Sequence, residues 1–181
     1  QLRDALARVR VGPGGDPSSQ MGCLIDMRAR DRIDGLLHEA ERSEGVRVHL
    51  RGVLGNGPLA RGAFIGPSLL EVQDLASRFV QEELFGPVLV VERFGDDAEV
   101  VARANATRYG LAASVWGRDA TRMRRIAGRL RSGTVWANCH NRLFAEAETG
   151  GSRASGYGRL HGVEGLNDFL QTKHFYTEGL L

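Results

Sequence analysis

The feature that most constrains this chain is a repeated switch between two hydrophobic periods. Ile33, Leu36, Leu37 and Ala40 fall at i, i+3, i+4 and i+7, the stripe of a helix buried on one side. Val46, Val48 and Leu50 then alternate with Arg47 and His49, the period of a half-buried strand. The same switch recurs downstream. A short strand is expected over 68–72, and Val88-Leu89-Val90-Val91 is apolar on both faces, as in a parallel sheet covered on both sides. Asp96 or Asp97 caps a helix carrying Val100, Val101 and Ala104. Residues 111–116 form another strand, and Asp119 caps a helix holding Met123, Ile126, Ala127 and Leu130 that Gly133 ends. Thr134-Val135-Trp136-Ala137 is a further strand. Asp31 is the expected N-cap of the first long helix and Gly45 its stop. A short opening helix on Leu2, Leu6 and Val9 is broken by the Gly/Pro run at 12–17. A helix near 163–171 and a terminal strand over 174–177 close the series. Helix and strand in alternation imply an α/β fold, a mainly parallel sheet with flanking helices, as one domain or one piece of a domain.

Composition excludes several functions. A chain of 181 residues buries about 70% of its unfolded surface, enough for a real core. No apolar run is long enough to cross a bilayer, so no membrane role is expected. The formal charge of +2 exerts no general pull on nucleic acid or anionic lipid. Every Lys or Arg but Lys173 is arginine, and in the cluster Arg118, Arg122, Arg124, Arg125, Arg129 and Arg131 four of them, Arg118, Arg122, Arg125 and Arg129, share a face that reads as the solvated outer side of one helix. It has no aromatic platform for bases. Cys23 and Cys139 form neither a disulfide framework nor a metal spacing, and the five histidines are not paired at ligand spacing. No metal is expected, and a reducing, cytoplasmic setting follows. The first residues do not resemble a secretory leader, and the absence of an initiating Met suggests part of something longer.

Gln81-Glu82-Glu83-Leu84-Phe85-Gly86-Pro87-Val88 is the unusual segment. Two acids ahead of an apolar strand are ordinarily a solvated strand start. Phe-Gly-Pro is a peculiar way into a strand, however, because Pro87 fixes φ and Gly86 permits backbone that other residues avoid. A carboxylate at such an edge can accept from sugar hydroxyls, and a ring can lie against a planar ligand.

This segment resembles a motif of the NAD(P)-dependent aldehyde dehydrogenases, and its neighbours are similar to that family's in the right order. Upstream lies Gly62-Ala63-Phe64-Ile65-Gly66-Pro67-Ser68-Leu69. Downstream come Ala104-Asn105, Tyr109-Gly110-Leu111-Ala112-Ala113, Ser132-Gly133-Thr134-Val135-Trp136-Ala137-Asn138, and the Gly/Ser-rich run 150–159 ending in Gly156-Tyr157-Gly158-Arg159. The resemblance spans most of the chain and implies the C-terminal part of the catalytic domain, residues 1–172, followed by an oligomerisation strand and tail, 173–181. It implies aldehyde oxidation with NAD or NADP through a cysteine thioester and assembly as a homo-oligomer. By the family pattern Glu83 holds the nicotinamide ribose and Phe85 packs beside it. Leu143 and Thr149 line the aldehyde tunnel at places where some members carry aromatic residues. The departure is equally plain: the family's nucleophilic Gly-Gln-x-Cys segment, its general-base Glu and its dinucleotide-binding domain would lie ahead of Gln1. No catalytic residue is therefore assigned here, and the chain alone is expected to be inactive. Cys139 beside His140 does not substitute, since neighbours on a strand face opposite ways. Cys23 reads as structural, and Gly156-x-Gly158-x-x-x-Gly162 as a turn with the wrong spacing for a dinucleotide fingerprint. The rival readings are a non-catalytic remnant of the fold serving as a binding or assembly module and, more distantly, a basic nucleic-acid binder.

Overall fold

Asp26 starts the first long helix. Its side chain accepts a hydrogen bond from the Ala29 amide at 2.7 Å, satisfying one of the helix's orphan donors. The expected cap at Asp31 is thus corrected: the helix begins a full turn earlier, and Asp31 instead pairs with Arg30. A computed structural model describes residues 1–54 and 57–179, arranged as two compact units, Gln1–Phe94 and Gly95–Leu181. The Gly-rich loop expected over 52–66 falls partly outside the described residues.

The first unit contains α1 (Leu2–Ala7), α2 (Met27–Arg42), β1 (Val46–Leu50), β2 (Ser68–Val72), α3 (Arg78–Gln81) and β3 (Val88–Val91). Its strands lie in the order β1-β2-β3, with β1 antiparallel and β3 parallel to the central β2. Gly45, at φ +77°, follows the end of α2 and turns the chain into β1. The periodic residues of α2 form the core they predict: Ile33, Leu36, Leu37 and Ala40 pack with Ile65, Leu70, Val72, Phe79 and Leu84. The parallel pairing of β3 is as expected, but its two-sided cover is not, since Leu89 stays 43% exposed.

On the outward side of β2, Glu71 is gripped by Arg93 and by His49, whose Nε2 must donate because a carboxylate only accepts; that contact is 2.6 Å. The Arg93 hydrogen bond first, and then that of His49, hold the Glu71 carboxyl at about 2 against an ordinary 4.5. A depressed folded-state value means the contribution is fully present above 4.5 and drains away as pH falls toward 2. We expect Glu71→Gln to be less stable at neutral pH and to lose less on acidification across that window. Denaturant melts of both proteins at several pH values check this, and parallel curves would contradict it.

The second unit holds α4 (Asp97–Ala104), β4 (Ala112–Val115), α5 (Ala120–Ala127) and β5 (Thr134–Ala137), with β4 and β5 parallel. Asp96 caps α4 through the Glu99 amide, and Asp119 caps α5 through the Arg122 amide. Helix α5 stops at Gly128, five residues before the expected Gly133, so Leu130 lies outside it. Its basic face is also less free than expected. Arg122 and Arg125 both bind Asp97 at 2.6 Å, and Arg122 is the first cause of a lowered Asp97 carboxyl. Beyond β5 the helix expected near 163–171 is a 3-10 helix, Glu164–Phe169. Residues 174–177 form no strand: an extended segment becomes one only against a partner edge, and Phe175 and Tyr176 lie exposed. No described helix is long and apolar enough to cross a membrane.

Candidate functional site

The turn from Glu82 to Val88 is held from three directions. Phe79 and Leu84 are buried in the first unit's core, which anchors the segment at both ends of its approach. Gly86 rests on Ile33 of α2, where a Cβ would come within 2.6 Å of Ile33 Cδ1 and would force that buried side chain to shift. The Pro87 carbonyl accepts from the Ser68 amide at 2.8 Å, joining the turn to β2. Arg32 of α2 closes the frame, its Nη2 donating to the carbonyl of Leu84 at 2.7 Å and to that of Phe85 at 3.3 Å.

Pinned this way, Phe85 adopts φ +53°, an uncommon conformation for a residue with a Cβ, and its ring stands 75% exposed. The two adjacent acids differ. Glu82 pairs with Arg78 at 3.0 Å, whereas the exposed Glu83 has no partner among the described residues. Glu83 and Phe85 border one open groove of about 500 Å³, together with Phe79, Leu84, Val88 and Val90. An unpartnered carboxylate accepts hydroxyl donors, and an exposed ring offers a face to a planar group. The sequence-predicted pair is therefore together, outward and unengaged.

In the second unit, motifs far apart in sequence converge as scaffold. The Asn105 amide group donates to the Arg129 carbonyl and its oxygen accepts from the Arg131 amide at 2.7 Å. The Gly110 carbonyl takes the amides of Gly133 and Ser152 and the Ser152 hydroxyl, while the Gly110 amide donates to Ser155 Oγ at 3.0 Å. Arg153 reaches the carbonyls of Asn105 and Tyr109. Asn138, at φ +53°, makes a two-way amide pair with the Gly117 backbone, both contacts 2.8 Å. Gly156 and Gly162 have positive φ, as a turn requires.

Leu143 and Thr149 border the loop that follows β5. Trp136 fastens the loop by donating from Nε1 to the Arg142 carbonyl at 2.8 Å, and Leu143 is exposed just beyond. Thr149 is half-buried, bridged to Leu160 through both backbone groups, with its hydroxyl on His161 Nδ1. Glu148 accepts from the Val163 amide, and backbone amides, its own foremost, lower its carboxyl. His140 turns to Ser114 Oγ at 2.7 Å and stacks edge-on with Trp136, rather than engaging Cys139. Cys23 is exposed, so its reading as a structural residue is corrected: it fills no core. Among the described residues no three potential ligands gather as a metal site. Arg32 and the Glu71 triad escaped the sequence reading, because no periodicity separates Arg32 from the chain's other arginines, and the triad joins three separate strands and loops.

The sequence profile of the aldehyde dehydrogenase family matches residues 1–175. The chain belongs to the aldehyde dehydrogenase family. Betaine aldehyde dehydrogenase from Bacillus subtilis (strain 168) is 39% identical over 177 residues, which cover 97% of this chain and 36% of that protein. Betaine aldehyde dehydrogenase 1 from Rhizobium meliloti (strain 1021) is 35% identical over 98% of the chain. The crystal structure of betaine aldehyde dehydrogenase from Staphylococcus aureus in complex with NAD+ is 36% identical and superposes with a TM-score of 0.88, covering 96% of this chain and 35% of that one. The α/β architecture is thus that of the aldehyde dehydrogenases. The chain spans about a third of the length of the curated relatives it matches.

Proposed function

We propose that this chain is the C-terminal part, residues 1–172, of the catalytic domain of an NAD(P)-dependent aldehyde dehydrogenase, with 173–181 as an oligomerisation strand and tail. In this reading the enzyme oxidises a small-molecule aldehyde to the acid through a cysteine thioester, assembles as a homo-oligomer and works in the cytoplasm. The relatives named as betaine aldehyde dehydrogenases and the relative crystallised with NAD+ support the reaction class and the cofactor. The observation that carries the reading is the pairing of an unengaged Glu83 with an exposed Phe85 on a braced turn.

When bound, the dinucleotide supplies the hydride acceptor. The chain's own residues position it. Glu83 accepts the hydroxyls of the nicotinamide ribose, and Phe85 lies beside that half of the cofactor. Holding the ribose matters because hydride transfer needs a near-attack geometry, and a loose sugar loosens the ring it carries. Leu143 and Thr149 contribute to the aldehyde tunnel, where an aliphatic and a hydroxyl side chain leave a wider, more polar mouth than aromatic rings would. The nucleophile is supplied from outside these 181 residues, so the isolated chain reduces no NAD+ with any aldehyde.

In the full-length enzyme we expect Glu83→Gln and Phe85→Ala each to weaken NAD+ binding about tenfold, the scale of a lost hydrogen bond to a charged acceptor or a lost ring contact. Titration of NAD+ followed by protein fluorescence measures this directly. Unchanged affinity in both variants would remove the clamp from the proposal.

A further inference from the structure

Arg32 differs from the other arginines of its neighbourhood in where its charge goes. Arg30 binds Asp31, Arg51 binds Asp34 and Glu41, and Arg78 binds Glu39 and Glu82. Among the described residues Arg32 has no carboxylate partner, and its recorded bonds are to the carbonyls of Leu84 and Phe85. These are backbone groups of a turn, outside any strand ladder, where a guanidinium gives stronger bonds than a neutral donor. The carbonyls it takes belong to the two residues that follow Glu83, and one of them is Phe85 itself.

The turn needs such a brace. Phe85 at φ +53° is in backbone that costs energy for a residue with a Cβ and persists only where its surroundings over-determine it. The buried Leu84 and the Gly86–Ile33 approach fix the turn's inner side, but neither sets the direction of the peptide between Leu84 and Gly86. Arg32 does, by holding the carbonyls on either side of Phe85's Cα.

We infer that Arg32 is a positioning residue of the cofactor site: it fixes the Leu84–Phe85 backbone so that Glu83 and Phe85 face the ligand in a set geometry. The inference rests on the clamp proposed above. It predicts a role exerted through the turn, without contact between Arg32 and the cofactor.

The test joins a cofactor readout with one that does not involve cofactor. In the full-length enzyme without ligand, Arg32→Met should speed hydrogen exchange of the Phe85, Gly86 and Val88 amides about tenfold and raise the NAD+ dissociation constant by a similar factor, the size expected for losing bonds to a charged donor. Arg32→Lys should recover part of both, because one ammonium reaches one carbonyl where the planar fork reaches two. It also serves as the folded variant should Arg32→Met be poorly stable. Weakened NAD+ binding with unchanged exchange would overturn the inference, since Arg32 would then touch the cofactor directly. Unchanged values in both would overturn it as well. Faster exchange with an unaltered NAD+ constant would overturn the link to the site, and Glu83→Gln measured beside it shows whether the clamp itself has failed.

Discussion

Gly133→Ala is expected to cost the second unit about 3 kcal/mol or more, beyond the usual range for overpacking, because the obstacle is backbone. A Cβ at Gly133 would lie 1.8 Å from the Gly150 carbonyl oxygen, and neither strand β5 nor the 150–152 segment can retreat without breaking its bonds to Gly110. The Gly133 amide donates to the Gly110 carbonyl at 3.0 Å and the Ser152 amide to the same oxygen at 2.9 Å. Three segments therefore meet backbone to backbone at one oxygen, with no flexible side chain to absorb an added methyl. Both tryptophans and all three tyrosines follow residue 94, so the aromatic fluorescence of the chain reports the second unit during denaturation. Gly14→Ala is the control, since a Cβ there meets open space. Equal denaturation midpoints for Gly133→Ala and the parent would show that the clasp yields and that the close approach is not a constraint.

The second large effect is expected in the first unit. Leu70 sits in the middle of central strand β2, with no exposed surface, packed against the residues of α2 and flanked by Val48 of β1 and Val90 of β3. Leu70→Ala removes three buried carbons and leaves a cavity that strands on both sides keep from collapsing. Such changes cost about 2–5 kcal/mol, and a site bounded on every side belongs at the upper end. Backbone hydrogen exchange over 68–72 and 88–91 follows the loss, as aromatic fluorescence does not reach this unit. Leu89→Ala, on the exposed face of β3, should cost under about 1 kcal/mol by comparison, since little of its surface is removed from water. If the two variants lose protection equally, the core as described does not carry the first unit's stability.

Local chemistry along the chain was enough for much of this molecule. The i, i+3, i+4, i+7 stripe of Ile33, Leu36, Leu37 and Ala40 became the buried face of α2, and Ser68–Val72, Val88–Val91 and Thr134–Ala137 are strands where the apolar runs put them. Asp96 and Asp119 cap as their positions imply. These succeed because period and cap are properties of a few consecutive residues. The Glu83–Phe85 segment was likewise legible, since Phe-Gly-Pro declares an unusual turn by itself.

What only the tertiary structure decided is what needs a distant partner. Residues 174–177 have the composition of a strand but pair with no strand among the described residues. Helix α5 ends at Gly128, ahead of the first glycine suggested by its apolar pattern's end, and Arg122 and Arg125 spend their charge on Asp97 of another helix. The glycine-containing motifs that carry the family resemblance form a clasp in which Gly110, Gly133 and Gly150 approach more closely than any side chain permits. The segment ahead of β3 shows both cases. Arg78 pairs with Glu82 four residues on and leaves Glu83 free, a difference the local i,i+4 spacing already carries, while Arg32, 52 residues from Leu84 in the chain, reaches the carbonyls of Leu84 and Phe85 only through the fold. Spacing cannot encode the Arg32 contact, because it depends on which groups the packed α2 brings within reach of the turn.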